Sequence, residues 1–309
     1  METLFSAVPA PHSVAGAVSE ALLPDAVAVR AGESATSSQA RSNGGATNGG
    51  AANGGANRSR SRTSANGFDR VPRRKLDNSK IDKTVVLAQR LSRKEEKDFH
   101  FIIERYRLLC NRVAEIAKSF RSQVFLITSA LADEGKTLTS ANLAFALAGI
   151  EGKRTLLIDL DLRRYSLHSL LGITPSTRDQ PFLGPADWHD SLWSLRPNLH
   201  ALLNTSPMDQ PDQALHSEAM RTLLTDAKAE YDYILIDSAP LLLAADTHAL
   251  LSIIDHALLV VRADQTPIPC SQDALKVLGD KAVGCILNDV KRLKYESYYR
   301  GYYGIEGEK

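Results

Sequence analysis

The fold turns on one stretch: Ser122-Gln-Val-Phe-Leu-Ile-Thr-Ser-Ala-Leu-Ala-Asp-Glu-Gly-Lys-Thr-Leu-Thr-Ser-Ala-Asn-Leu-Ala144. The apolar run from Val124 to Ile127 enters a turn, and a helix-type pattern leaves it. Between them stands Ala130-x4-Gly135-Lys136-Thr137, a phosphate-binding loop with Ala in place of its first Gly. Backbone N–H groups of such a loop and of the first helical turn point at phosphates. Ala132, Asp133, Glu134, Gly135, Lys136, Thr137 and Leu138 are therefore the candidate nucleotide-binding positions. Gly135 lets the backbone approach closely, Lys136 reaches the β- and γ-phosphates, and the Thr137 hydroxyl is a Mg²⁺ ligand. A chance match in a strand–turn–helix unit is the plain alternative. Strand and helix both fall where the motif needs them, so the chain is expected to bind a nucleoside triphosphate.

Working outward, composition divides the 309 residues unevenly. Residues 32–66 are dominated by Gly, Ala, Ser, Asn and Arg, with Asn43-Gly44-Gly45-Ala46 and near-copies around Asn48 and Asn53. Such a segment buries too little apolar surface to offset chain entropy, so it is expected to be disordered. Arg58, Arg60, Arg62, Arg70, Arg73, Arg74 and Lys75 follow as a basic stretch, which suits a solvated linker as well as a contact with anionic lipid or nucleic acid. The division expected is residues 1–96 as a disordered arm and basic linker, 97–290 as the folded domain, and 291–309 as a flexible tail. The net charge of +1 averages over this unevenness and says little. No run approaches the eighteen or so apolar residues of a membrane helix. Glu2 stands where a secretory signal would carry positive charge. Cys110, Cys270 and Cys285, odd in number and unpaired in spacing, fit a reduced cytosolic protein and define no metal site.

Residues 97–120 carry Phe99, Ile102, Ile103, Tyr106, Leu109, Cys110, Val113 and Ile116 at helical spacing. From Gln123 on, strands are predicted at 124–128, 155–159, 199–203, 233–237, 257–261 and 283–287. Helices are predicted near 137–149, 217–230, 246–254 and 271–279. Short apolar runs alternating with helices mean an α/β fold: a mostly parallel sheet of the P-loop NTPase kind, covered by helices on both faces. Ligands of such sheets sit at the carboxyl ends of the strands.

Two of those ends are acidic. The second predicted strand closes Leu156-Leu157-Ile158-Asp159-Leu160-Asp161-Leu162-Arg163, and the fourth closes Tyr233-Ile234-Leu235-Ile236-Asp237-Ser238-Ala239-Pro240. A single Asp after a strand is commonly a helix cap. Three of them on two strands facing a phosphate loop suit Mg²⁺, which takes one or two carboxylates plus phosphates and waters.

A phosphate loop followed by Asp-x-Asp-x-Arg and then apolar-Asp-x-x-Pro resembles the bacterial tyrosine kinases (BY-kinases) of exopolysaccharide and capsule export. The resemblance runs from about Glu104 to the C-terminus. Gly284-Cys285-Ile286-Leu287-Asn288 resembles the family's late strand, whose Asn contacts adenine. Residues 295–303, Tyr-Glu-Ser-Tyr-Tyr-Arg-Gly-Tyr-Tyr, resemble its C-terminal tyrosine cluster and hold five of the nine tyrosines. The tail from residue 291 has five basic and three acidic side chains. Each phosphate adds about −1.5 to −2, so two or three modifications invert its sign.

The resemblance implies an ATP- and Mg²⁺-dependent protein-tyrosine autokinase regulating polymer synthesis and export. Asp159 would orient or deprotonate the acceptor hydroxyl, and Asp161 and Asp237 would hold Mg²⁺ with Thr137. Lys136 would stabilise the transferred phosphoryl group, Asn288 would contact the base, and Tyr295, Tyr298, Tyr299, Tyr302 and Tyr303 would be the acceptors. It implies a transmembrane polysaccharide co-polymerase as activator, a homo-oligomer, a cognate tyrosine phosphatase, and a cytoplasmic chain held at the inner membrane face through its partner, with no role for nucleic acid. Arg163 suits a phosphate contact, an oligomer contact or a solvated charge.

Three departures stand out. The ring-forming Glu-x-x-Arg-x-x-Arg becomes Glu104-Arg105-Tyr106-Arg107-Leu108-Leu109-Cys110. Arg164-Tyr165 follows Arg163 where the family has Pro, and Ala132-Asp133 replaces a frequent Pro-Gly, so that Asp133 and Glu134 bring negative charge near the phosphates. Competing readings are a ParA- or MinD-like ATPase, whose second loop Lys is here Leu131, and a nucleotide-binding, non-catalytic regulator. No His-Arg-Asp or Asp-Phe-Gly motif of eukaryotic-type kinases occurs.

Overall fold

The computed structural model describes residues 3–6, 74–89, 93–164, 166–174, 182, 187–204, 208 and 210–290. The low-complexity run at 32–66 and the tail at 291–309 lie outside the described residues.

Nine strands form one sheet: β1 (Thr3–Ser6), β2 (Arg74–Lys75), β3 (Gln123–Ser129), β4 (Thr155–Leu160), β5 (Trp193–Arg196), β6 (Leu199–Leu202), β7 (Tyr233–Ser238), β8 (His256–Arg262) and β9 (Ala282–Asn288), in the order β1-β9-β8-β3-β7-β4-β6-β5-β2. Neighbours from β9 to β6 run parallel, while β1 on β9 and β5 on β6 are antiparallel. The helices are α1 (Arg93–Ala117), α2 (Lys136–Leu147), α3 (Leu167–Leu170), α4 (Pro211–Leu215), α5 (Glu218–Glu230), α6 (Ala245–Leu250) and α7 (Ile268–Leu278).

The central strands are buried along their whole length because both faces are covered. Successive side chains alternate between two cores. Val124 and Leu126 face a core with Leu223 and Leu224 of α5 and Leu275 of α7, whereas Phe125 and Ile127 face one with Tyr106 and Leu109 of α1 and Leu143 of α2. On α1, Ile103, Tyr106, Leu109, Cys110, Val113 and Ala117 are buried, the stripe that its helical spacing predicts.

The folded unit reaches further toward the N-terminus than Lys97, the boundary expected from composition. Ile81 and Val85 are buried in the α1/α2 core, and Asn142 of α2 binds Leu87 N and Thr84 O. Asp82 N donates to Leu170 O, and Gly172 lies so close that a Cβ there would meet Lys80 O at 2.1 Å. Part of the basic stretch is engaged too: Arg74 lies over Trp193 and pairs in β2 with β5. A few apolar residues spaced irregularly carry no periodic signal, so this segment is invisible to pattern reading. The helix predicted over 246–254 ends at Leu250, its last residues folding into a turn.

Candidate nucleotide and phosphoryl-transfer site

The order of the strands builds the site. β3, which feeds the phosphate loop, and β4, which carries the Asp-x-Asp turn, both flank β7, which ends in Asp237. Register places Asp159 beside Asp237 and Asp237 beside Ile127, so all three chain segments open at one carboxyl end of the sheet.

In the loop, Asp133 at φ 61° and Gly135 at φ 91° both take the left-handed region. Asp tolerates this conformation better than most residues, which is how the loop closes without the Gly expected at 133. Gly135 is the N-cap of α2, and no side chain caps that helix. Its first amides and its positive dipole end are thus left for an anion.

Lys136 is buried, and its Nζ lies 3.4 Å from Asp161 Oδ2, an ion pair without hydrogen-bond alignment. Asp159 Oδ1 accepts from Asp161 N at 3.1 Å, Asp161 Oδ1 from Arg164 N at 3.0 Å, and Asp237 Oδ1 from Ser140 Oγ at 3.0 Å. The Thr137 and Ser166 hydroxyls lie 3.3 Å apart. One oxygen on each carboxylate, Oδ2 of Asp159, Asp161 and Asp237, is buried without a hydrogen-bond partner. Three buried carboxylates facing one lysine are short of positive charge. Burial, then Asp237 and Asp161, pushes the Asp159 carboxyl well above the usual carboxylate range. Burial likewise pushes Asp237 up to about 6, against the pull of Lys136.

Orphaned oxygens of this kind suit a hard divalent cation. Among the described residues no group of three or more His, Cys, Asp or Glu side chains can hold a metal alone. A cation here would need further oxygen ligands, and a nucleotide's phosphates supply them.

The expected site residues fall into two sets. Lys136, Thr137, Asp159, Asp161 and Asp237 come together. Asn288 sits across the loop at the end of β9, with Nδ2 donating to Glu134 O at 3.0 Å and a buried Oδ1 without a partner. Glu134, expected to bring negative charge near the phosphates, turns its carboxylate inward. Its carboxylate is buried, accepts from Leu131 N at 2.7 Å, and hydrogen-bonds Thr266 of the β8–α7 loop. Asp133 remains exposed, within 3.2 Å of Arg164 Nη1. Ala132 is half-buried, and Leu138 packs against the α1/α2 core, leaving only its backbone to the site. Tyr295, Tyr298, Tyr299, Tyr302 and Tyr303 lie outside the described residues.

Arg163 forms a two-pronged ion pair with Asp246 of α6, a partner that its sequence does not suggest. Cys110, in the position of the ring motif's last Arg, faces the core, where burial pushes its thiol up to about 11. Glu104 and Arg107 pair with each other on the outer side of α1. Pattern reading missed Ser140, Thr266 and Asp246. Ser140 stands one helical turn after Lys136, a signal that spacing alone offered; the other two have no local signature.

With this geometry, similarity to known proteins is specific. The family model for the CobQ/CobB/MinD/ParA nucleotide binding domain matches residues 125–299. Succinoglycan biosynthesis transport protein ExoP of Rhizobium meliloti (strain 1021) is 35% identical over 201 residues, covering 59% of this chain but 25% of ExoP. The chain thus spans a minor part of that relative's length. Tyrosine-protein kinase YwqD of Bacillus subtilis (strain 168) is 30% identical over 208 residues, 66% of this chain and 86% of YwqD. Among solved structures, the kinase domain of Escherichia coli tyrosine kinase ETK superposes with a TM-score of 0.57 at 25% identity, over 62% of this chain and 77% of that domain. The chain belongs to the CobQ/CobB/MinD/ParA nucleotide-binding family and, within it, to the bacterial tyrosine kinases.

Proposed function

We propose that the chain is an ATP-dependent protein-tyrosine autokinase whose acceptors are Tyr295, Tyr298, Tyr299, Tyr302 and Tyr303. The observation that carries this reading is the trio of orphaned carboxylate oxygens opposite Lys136 and the uncapped start of α2. Nothing in the fold needs those oxygens unpaired.

The amides of residues 132–138 and the Lys136 ammonium would bind the phosphates, with Asn288 Oδ1 turned to the base. Asp161, Asp237 and Thr137 would hold Mg²⁺. That ion would spread the charge developing on the β- and γ-phosphates. Ionising a tyrosine of pKa near 10 at pH 7 costs about 4 kcal/mol, so the proton needs a receiver. As the Tyr Oη–Pγ bond forms and the bond to the leaving ADP breaks, the hydroxyl proton passes to Asp159 Oδ2. Burial and like charge make Asp159 a stronger base than an exposed Asp. Asp159 is fully buried, so the acceptor hydroxyl must displace what covers Asp159 Oδ2 to reach it.

The kinship with ExoP and YwqD supports a place in polysaccharide export, with a transmembrane co-polymerase as activator, membrane recruitment through that partner, homo-oligomers and a cognate phosphatase. No helix among the described residues is long and apolar enough to cross a membrane.

Intact-mass analysis after incubation with Mg²⁺-ATP and a co-polymerase's cytoplasmic segment tests the proposal. Successive phosphate additions mapped to residues 295–303, absent in Lys136→Met, are expected. Phosphate release without mass gain would favour the second reading, a MinD- or ParA-like ATPase, which the family match also supports. Binding without either would leave a nucleotide-gated regulator.

A further inference from the structure

Arg163 follows Asp161 by two residues in the β4–α3 turn. Its Nε donates to Asp246 Oδ2 at 2.6 Å and its Nη2 to Asp246 Oδ1 at 2.9 Å, the planar fork-to-carboxylate geometry that fixes direction as well as distance. The Asp246 side chain is 4% exposed, whereas that of Arg163 is 55% exposed. Asp212 of α4 and Asp161 are the other charges facing Arg163.

Asp246 opens α6, and that helix holds the loop after Asp237. Thr247 Oγ1 donates to Ala239 O at 3.0 Å, and His248 Nε2 lies 3.1 Å from Leu241 O. The same loop backs the phosphate loop: Leu241 N donates to Ser129 O, Leu242 N to Ala130 O, and Thr128 Oγ1 to Ala239 O. Hydrogen bonds therefore run without a break from the Asp-x-Asp turn through Arg163, Asp246 and α6 to the Asp237 loop and the start of the phosphate loop. The pairing of β4 with β7 ends at Leu160 and Ser238; beyond it Asp161 Oδ1 accepts from Arg164 N in its own turn and Asp237 Oδ1 from Ser140 Oγ of α2, so no hydrogen bond bridges the two carboxylates.

We infer that the Arg163–Asp246 pair is a positioning brace that holds the Asp159/Asp161 turn at a fixed separation from Asp237, so that one divalent cation can be shared between Asp161 and Asp237. The inference rests on the proposed nucleotide–cation site. Arg163 touches neither phosphate nor cation; it acts through the turn that carries Asp161. A Lys in its place keeps the charge but not the fork, and loses the direction of the bond.

A fluorescent ATP analogue titrated onto the full chain, first in EDTA and then across a Mg²⁺ series, separates loop binding from cation binding. For Arg163→Lys and Arg163→Met we expect affinity in EDTA to stay within about twofold of wild type. The Mg²⁺ concentration giving half of the metal-dependent tightening is expected to rise by about tenfold or more, with Met affected beyond Lys, as for partners that orient metal ligands. Asp246→Asn, which keeps shape and removes charge, should follow Arg163→Met. An unchanged Mg²⁺ midpoint in Arg163→Lys and Arg163→Met overturns the brace. So does an equal loss of affinity in EDTA, which would mean general damage to the loop. Failure of the underlying reading looks different: wild type itself would show no Mg²⁺-dependent tightening. Melting temperature followed in parallel identifies any unfolded variant. The decisive one is Arg163→Lys, because it preserves volume and charge on a half-exposed side chain.

Discussion

The two ends of the sheet use the same residue in opposite ways. At the amino ends of the strands, Asp232 precedes β7 and accepts from Lys153 Nζ at 2.8 Å and from Arg154 N at 2.9 Å. Asp255 precedes β8 and accepts from Val124 N at 2.8 Å and from Lys228 Nζ at 3.0 Å. Both oxygens of each carboxylate are bonded, and both groups keep some contact with solvent. At the carboxyl ends, Asp159, Asp161 and Asp237 are fully buried, crowd one another around the single Lys136, and each leaves an oxygen without a hydrogen bond. Buried, unpaired charge opposes folding. A group that costs stability where its counterparts supply it is accounted for by what it binds.

The largest effect should come from the carboxyl end. Asp237→Asn and Lys136→Met are each expected to lower tail phosphorylation by about 10³-fold or more, read by quantitative mass analysis, while the metal-free fold survives. Unchanged phosphorylation in either would erase the distinction between the ends. Next comes Asp232→Ala, which removes the acceptor of the Arg154 N–H and the partner of the half-exposed Lys153 ammonium. A loss of about 2 kcal/mol in denaturant unfolding is expected, with nucleotide affinity unaffected.

A third, smaller effect is pH-dependent. His200 Nδ1 of β6 lies 2.7 Å from the Tyr231 hydroxyl, and burial pushes the imidazole down to about 4. The folded state thus favours the neutral ring. Its contribution is complete above the unfolded value near 6.5 and is lost as pH falls toward 4, up to about 3 kcal/mol. Subtracting the stability profile of His200→Gln from that of wild type should isolate this slope; parallel profiles would refute it. Smallest is the exposed Lys276–Asp273 pair on α7, where Asp273→Ala should change stability by no more than about 0.5 kcal/mol.

Most of the carboxyl end was legible in the sequence, because its chemistry is local. Gly135-Lys136-Thr137 and the two acidic strand ends each lie within a few residues, next to apolar runs that mark strands. What could not be read depends on contacts between distant segments. Nothing near Glu134 says that its carboxylate turns inward toward Thr266, 132 residues away. Nothing near Arg163 names Asp246 as its partner, 83 residues on. The packing of residues 74–89 was hidden for a related reason. Ile81 and Val85 are too few to make a periodic pattern, and only the surfaces of α1 and α2 give them a place.

Melting curves of the full chain in EDTA at neutral pH, comparing wild type, Asp159→Asn and Asp232→Asn, test this contrast most directly. Removing one of three crowded charges should raise the melting temperature of Asp159→Asn by a few degrees, worth about 1–2 kcal/mol. Removing a paired charge should lower that of Asp232→Asn. If Asp159→Asn melts below wild type as Asp232→Asn does, its carboxylate supports the fold, and the account of the carboxyl end as a binding site held against stability is contradicted.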